Sequence, residues 1–193
     1  MLRVWLDIPV DASGRALAGH LARRHPAFAL VGISTGGETA GAAAEVMMAQ
    51  SELFDVVTAG PLTGLAGLVE RYPEARARWR HVVCAAGQLE WPAEANIAAD
   101  PAAAEVVLKH TSPRLVGLEA SRGLSPAEER VSAPLALLSL LHPEAFDLQR
   151  LRVRVERDGR LRLTDDGYLV EYALHVDWPV LELELAEALG LPR

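Results

Sequence analysis

The stretch FDVVTAGPLTGLAGLVERYPEARARWRHVV, residues 54–83, decides the fold class. Residues 55–59 (DVVTA) form a β-prone run that ends at the turn pair Gly60-Pro61. Helical spacing resumes at Leu65, Leu68 and Val69, and a second strand-like run, HVVCAA, occupies residues 81–86. Strand, turn, helix and strand in this order make a βαβ unit, and a helical crossover of this kind joins parallel strands.

Working outward, the same alternation repeats. Toward the amino terminus, residues 2–6 form a short apolar run ending at Asp7. Residues 13–24 place Leu17 and Leu21 four apart, as a helix does, and His25-Pro26 ends them. Phe28–Ser34 is a further strand, followed by Gly36-Gly37-Glu38 and an alanine-rich helix over residues 39–50. Toward the carboxyl terminus, Gly87 opens a loop carrying Trp91, Pro92, Glu94 and Asn96. Asp100-Pro101 then reads as a helix cap with proline in the first turn. Residues 115–118 form one more strand, ending at Glu119. Five strand–helix units in a row predict an α/β fold with a doubly wound, mostly parallel sheet. The last third changes period: residues 151–155 and 160–163 alternate around the turn signal Asp158-Gly159, residues 168–176 make another strand, and residues 179–190 a closing helix. This predicts an antiparallel C-terminal addition within one domain, residues 1–193, with neither linker nor internal repeat.

Composition narrows the function classes. A chain of 193 residues buries roughly 70% of its unfolded surface and needs no metal or disulfide staple to fold. Half of the residues are hydrophobic and 23% are charged, which excludes wholesale disorder. The net charge of −7, carried against an almost lysine-free basic complement (Lys109 alone), argues against a nucleic-acid partner. Cys84 is the single cysteine, so neither an internal disulfide nor a cysteine-rich zinc site is available. MLRVWLDIPV lacks the apolar length of a signal peptide, and no uncharged run reaches membrane length. The expectation is a soluble, cytoplasmic protein with no membrane partner, with a homo-oligomer left open. GxSxG, P-loop and HExxH motifs are absent. In a sheet of this kind ligands bind outside the carboxyl ends of the strands, so the candidates are Asp7, residues 36–38, 58–63 and 87–96, and Glu119.

These residues resemble a known family, the calcium-dependent nucleoside hydrolases, which cleave the N-glycosidic bond of ribonucleosides. Residues 54–83 resemble the family's GPLTNLA strand-to-helix turn and the strand after it. AEANIAADPAAAEVVL, residues 93–108, is similar to its AEFNIxxDPEAA block. LDIPVDASGRALA, HPAFALVGISTGGET, LVGLEAS, SAPLALLSLLHPEAF and the final LRVRVERDGRLRL take their places around these in family order. The resemblance implies a shortened member, with the missing stretches between Gln50 and Asp55 and between Ala120 and Ser132. The family's chemistry uses aspartates that hold calcium, a water activated by the metal and one aspartate, an acid for the leaving base, and polar side chains that grip the ribose.

Against the family's DxDPGxDDAxAL opening, this chain reads DIPVDASGRALA. Anchored at Asp7, the second metal-binding aspartate becomes Pro9; in the alternative register the paired aspartates become Gly14 and Arg15. The later HDP motif, source of a leaving-group histidine and another calcium aspartate, becomes Ser132-Ala133-Pro134. Thr63, whose counterpart offers a carbonyl to the metal, remains, and Asp11 could compensate in a shifted loop. The expectation is no bound metal or other cofactor, although calcium serves the family. The sugar grip is better kept: Glu94 and Asn96 match ribose-contacting residues, Gln88 stands for an upstream asparagine, Glu38 for the asparagine after the second strand, and Glu119 for the aspartate after VGL. Glu94, Asn96, Gln88 and Glu38 are therefore the ligand-binding candidates, and Asp7, Asp11 and Glu119 the remaining candidates for catalysis.

Each also has a structural reading. Glu94 and Asn96 could cap or brace the loop before Pro101, Asp7 suits a hydrogen-bonded strand end, and Gly36-Gly37 suits a turn. The six histidines are scattered without metal-ligand spacing, and Cys84 sits in an apolar strand where a thiol acts as a small hydrophobe. Three functions compete: a member without calcium or N-glycosidase activity that binds a ribose-bearing ligand, an active ribosyl hydrolase with a rearranged site, and a non-catalytic interaction or assembly module. The first is the expectation, because losing base, acid and metal together removes most of the catalysis.

Overall fold

Adjacent residues of a strand point to opposite faces of its sheet, and the apolar pairs of this chain use both faces. The computed structural model of the protein describes residues 1–8, 13–35, 40–89, 92–121 and 132–182. In it Val56, Val82, Cys84 and Leu115 pack to one side, while their neighbours Val57, Val83 and Val116 pack to the other. The strands are β1 (Leu2–Asp7), β2 (Phe28–Ser34), β3 (Phe54–Thr58), β4 (Trp79–Cys84), β5 (Arg114–Leu115), β6 (Phe146–Val155), β7 (Leu161–Leu163) and β8 (Tyr168–Val176). They form one sheet in the order β2-β1-β3-β4-β5-β8-β6-β7. The helices are α1 (Ser13–Arg24), α2 (Ala40–Met48), α3 (Thr63–Arg71), α4 (Ala95–Ala99), α5 (Pro101–Thr111) and α6 (Ser132–Leu141). Met47 of α2, Leu65 of α3 and Val107 of α5 close the first face, and Leu21 of α1 with Leu135 and Leu138 of α6 close the second.

β1 to β5 pair in parallel, as the sequence predicts, with β1 between β2 and β3. The C-terminal part is antiparallel within itself: β6 pairs antiparallel with both β7 and β8. It joins the sheet through its last strand, because β8 lies parallel to β5. The hairpin turn falls at Gly159, whose φ of 85° suits glycine, as the Asp-Gly signal anticipates. Asp100 caps α5 through Oδ1, which accepts from the Ala103 N–H at 3.0 Å.

Besides β6, which begins at Phe146 instead of residue 151, three elements differ from the sequence reading. Strand β5 is two residues long instead of reaching residue 118. Gly117 passes so close to the loop after β4 that a Cβ there would meet the Gly87 carbonyl oxygen at 2.1 Å, and the chain then curls into a 3₁₀ turn, Leu118–Ser121. Asn96 lies on the short helix α4, not in a loop, with Glu94 at its cap. Helix α6 escapes a periodicity reading because it is buried all round, from Ala133 to Ser139, and a helix without a polar face has no apolar stripe to detect. Of the closing helix, residues 178–182 are helical. Its remainder lies outside the described residues, as do Pro9, Asp11, Gly36, Gly37, Glu38 and Trp91. Among the described residues no helix is long and apolar enough to cross a membrane.

Candidate functional site

The first five strands follow the order 2-1-3-4-5, which places a topological switch point between β1 and β3, where a crevice forms at the carboxyl ends. Asp7 ends β1 there. It is 8% exposed, and its Oδ1 accepts from Ser34 Oγ at the end of β2 at 2.8 Å. Its Oδ2 accepts from Thr58 Oγ1 at the end of β3 at 3.3 Å. Ser34 is itself fixed, since its oxygen accepts from the indole N–H of Trp5 at 3.0 Å. The first turn of α3 lies beside this group: a Cβ on Gly64 would sit 3.5 Å from Asp7 Oδ2. A helix start carries partial positive charge, which favours a carboxylate in this position. Asp7 thus ties together three parallel strands and a helix start.

The next strand end is held by the residues the sequence singles out as sugar contacts. Glu94, 7% exposed, caps α4: its Oε1 accepts from the Asn96 N–H at 2.8 Å and its Oε2 from the Ile97 N–H at 3.2 Å. The same Oε2 accepts from the Gly87 N–H at 3.2 Å. Asn96 donates its side-chain N–H to the Ala85 carbonyl at 2.9 Å. From the far side Glu119, 5% exposed, accepts from the Leu89 N–H at 2.8 Å and from the hydroxyl of Tyr172. Segment 85–89, the exit of β4, is therefore gripped at three points by Asn96, Glu94 and Glu119. Gln88 lies within it, with its side-chain Oε1 buried and no donor to it among the described residues.

Asp7 and Glu94 also meet electrostatically at Cys84. Burial pushes this thiol far above its ordinary pKa, and the neighbouring carboxylates of Asp7 and Glu94 push it the same way. A protonated, buried thiol is a packing group and not a nucleophile. Thr63, which begins α3, donates its hydroxyl to Asp100 Oδ2 at 2.8 Å, joining the starts of α3 and α5. Asp7, Glu94, Asn96, Gln88 and Glu119 thus share one edge of the sheet, as their positions after successive strands predict. Asp11 and Glu38 lie outside the described residues.

Thr58 falls in the candidate stretch 58–63, and two further contributors carry no signal in the sequence. Ser34 reads as an ordinary strand-end hydroxyl, and nothing local marks either it or Thr58 as a donor to Asp7. Tyr172 reaches Glu119 because β8 inserts beside β5, a long-range pairing that strand periodicity does not reveal.

Calcium takes six to eight oxygens, with carboxylates prominent. Among the described residues no three His, Cys, Asp or Glu side chains gather as a metal site would require. Both oxygens of Asp7 accept from hydroxyl donors, which leaves the described edge a poor fit to a dication.

A doubly wound sheet with polar side chains gathered at the carboxyl edge of its parallel strands defines a ligand-site architecture of the α/β class. Solved structures narrow this class. The chain superimposes on an inosine-uridine preferring nucleoside hydrolase from Bacillus anthracis with a TM-score of 0.81 at 13% identity, over 98% of this chain and 99% of that one. A purine-preferring ribonucleoside hydrolase from Gardnerella vaginalis matches with a TM-score of 0.80 at 14% identity, over 97% and 98% of the two chains. A plant nucleoside hydrolase matches with a TM-score of 0.74 at 15% identity, over 99% of each. At such identities the likeness establishes the fold alone. A search of curated protein sequences returns no match. The sequence profile of the inosine-uridine preferring nucleoside hydrolases matches residues 34–134, and the chain belongs to that family. The matched segment holds Ser34, Thr58, Glu94, Asn96 and Glu119 and begins after Asp7.

Proposed function

We propose that this protein is a nucleoside hydrolase-family member without calcium-dependent N-glycosidase activity, which binds a ribose-bearing ligand at the carboxyl edge of its sheet. The observation that carries the first part is the bonding of the described acids. Asp7, Glu94 and Glu119 are buried, and both oxygens of each accept from a main-chain N–H or a hydroxyl. A general base needs a lone pair aimed at a water, and a general acid needs a proton aimed at the leaving group. Carboxylates that anchor strand and helix ends are held in place by those donors, so turning them to a water or a leaving group competes with the bonds that hold the edge.

The ribose part rests on Gln88. A buried acceptor with no donor costs free energy until something satisfies it, and a ring hydroxyl is a suitable donor. The positions of Glu94 and Asn96 beside it agree with the family's sugar grip. The acidic net charge and the family's small substrates support a protein that works on a small molecule and not on nucleic acid.

The test uses the full chain in calcium-containing buffer. Inosine, uridine and p-nitrophenyl riboside are expected to give no turnover above background. Ribose or inosine is expected to show saturation transfer in ligand-observed NMR. Gln88→Leu is expected to weaken that binding about tenfold while leaving the melting temperature level or higher, since it removes an unsatisfied buried acceptor. Turnover that disappears in Glu119→Gln or Asp11→Asn would establish the rearranged hydrolase instead. Absence of any ribose signal would leave the interaction module as the reading of this edge.

A further inference from the structure

We infer that the opposite, amino-terminal edge of the sheet carries a second binding site, one that takes the phosphate group of a small molecule. A cavity of about 450 Å³ opens there, at the starts of β4, β5 and β8. Its size lies within the range of small-molecule sites. Arg76, Trp79, Arg80, Arg114 and Arg150 line it, so four guanidinium groups surround one cavity on a chain whose net charge is −7.

The charges of this cavity divide into compensated and uncompensated groups. Arg80 donates to both oxygens of the fully buried Asp55, and His81 Nδ1 lies 2.9 Å from the same carboxylate. Arg114 donates to Glu171 at 2.5 Å and to the Ser139 carbonyl. Arg76 and Arg150 differ: among the described residues neither guanidinium has an ion-pair or hydrogen-bond partner. Strand register sets Arg114, Glu171 and Arg150 in one row across β5, β8 and β6, so the carboxylate already engaged by Arg114 separates it from the uncompensated Arg150. Trp79 adds an indole N–H that is buried and has no acceptor among the described residues.

These groups select the ligand by charge and shape. A phosphate monoester carries about −1.5 to −2 charges near neutral pH, which two uncompensated guanidiniums match and a single carboxylate does not. The planar fork of arginine also suits paired phosphate oxygens. Helix α5 ends at Thr111 beside the cavity, and the partial negative charge of its carboxyl end opposes an anion. The side chains, not a helix dipole, must therefore supply the attraction. This site shares no residue with the ribose edge.

Calorimetric titration of the full chain with inorganic phosphate, adenosine 5′-monophosphate and acetate at low ionic strength tests the inference. Both phosphate probes are expected to bind and acetate is not. Tighter binding of the nucleotide than of inorganic phosphate assigns the site to organic phosphates, and equal binding assigns it to the free ion. Arg76→Gln and Arg150→Gln are each expected to weaken binding about tenfold. Their melting temperatures are expected to stay level, because both side chains are exposed and, among the described residues, unpaired. Trp79→Phe is expected to weaken binding to a smaller degree. Failure of both phosphate probes to bind, equal binding of acetate, or phosphate affinity unchanged in the Arg76→Gln, Arg150→Gln double variant would each overturn the proposal.

Discussion

The two ends of the parallel strands handle charge in opposite ways. At the carboxyl end Asp7, Glu94 and Glu119 are buried, and their oxygens accept from N–H and hydroxyl groups of the strand and helix ends they join. At the amino end the buried acid is Asp55, held by Arg80 and His81, while the exposed side chains of Arg76 and Arg150 have no partner among the described residues. A buried carboxylate costs too much to leave unpaired, so the family-like edge has become an internal brace. An exposed guanidinium pays no such penalty and stays available to a ligand. In this chain the residues that look most like a site are the ones most committed to architecture.

The largest expected effect breaks that brace. Glu94→Ala leaves the N–H groups of Gly87, Asn96 and Ile97 without their acceptor and is expected to cost about 3 kcal/mol. In a domain of this size that corresponds to a fall of about 6 to 12 °C in melting temperature, read by thermal denaturation. A melting temperature unchanged by this substitution would show that Glu94 does not brace the loop. At the other end, Arg80→Ala leaves the Asp55 carboxylate with His81 as its remaining described charged partner. Arg80 is 38% exposed along its side chain, so solvent screening reduces the loss to about 2 kcal/mol, measurable by urea unfolding. A smaller loss than for Glu94→Ala sharpens the contrast between a buried brace and a half-exposed pair.

The smallest effect is a pH dependence centred on Cys84. Its pKa is raised in the folded state, so the folded thiol keeps its proton where the unfolded one ionises. Stability is therefore fully present below the unfolded pKa of 9.0 and falls as pH rises past it. The expected slope is about 1.4 kcal/mol per pH unit beyond that point. Urea midpoints of the wild type and Cys84→Ala, compared from neutral pH to well above pH 9.0, isolate it, because the variant lacks this contribution. Parallel curves for the two proteins would mean that Cys84 is accessible to water and that the edge is looser than its hydrogen bonds indicate.

Much of the fold is legible in the order of residues. The strand limits of β2 and β8, the Asp100-Pro101 helix start and the Asp158-Gly159 turn all follow from local chemistry: alternating apolar residues, a capping carboxylate, a glycine that accepts positive φ. The placing of Asp7, Glu94 and Glu119 at one edge is legible too, since each follows a parallel strand and parallel strands end on the same side. Helix α6 is not, because a helix buried on every side has no polar stripe to reveal its period.

What those edge residues do was decided only by tertiary structure. A glutamate before an Asn-containing turn has the same local sequence whether its oxygens face a sugar or a main chain. The choice depends on how far Gly87 lies from it after the chain has crossed from β4 to α4. Tyr172 reaches Glu119 because β8 pairs with β5, more than fifty residues away in sequence, and Arg150 stays uncompensated because Glu171, between them in the row, is engaged by Arg114. Periodicity and capping act over a few residues and are written in the sequence. Hydrogen-bond satisfaction and charge compensation act over ångströms between distant segments, so they exist only once the sheet has set its register.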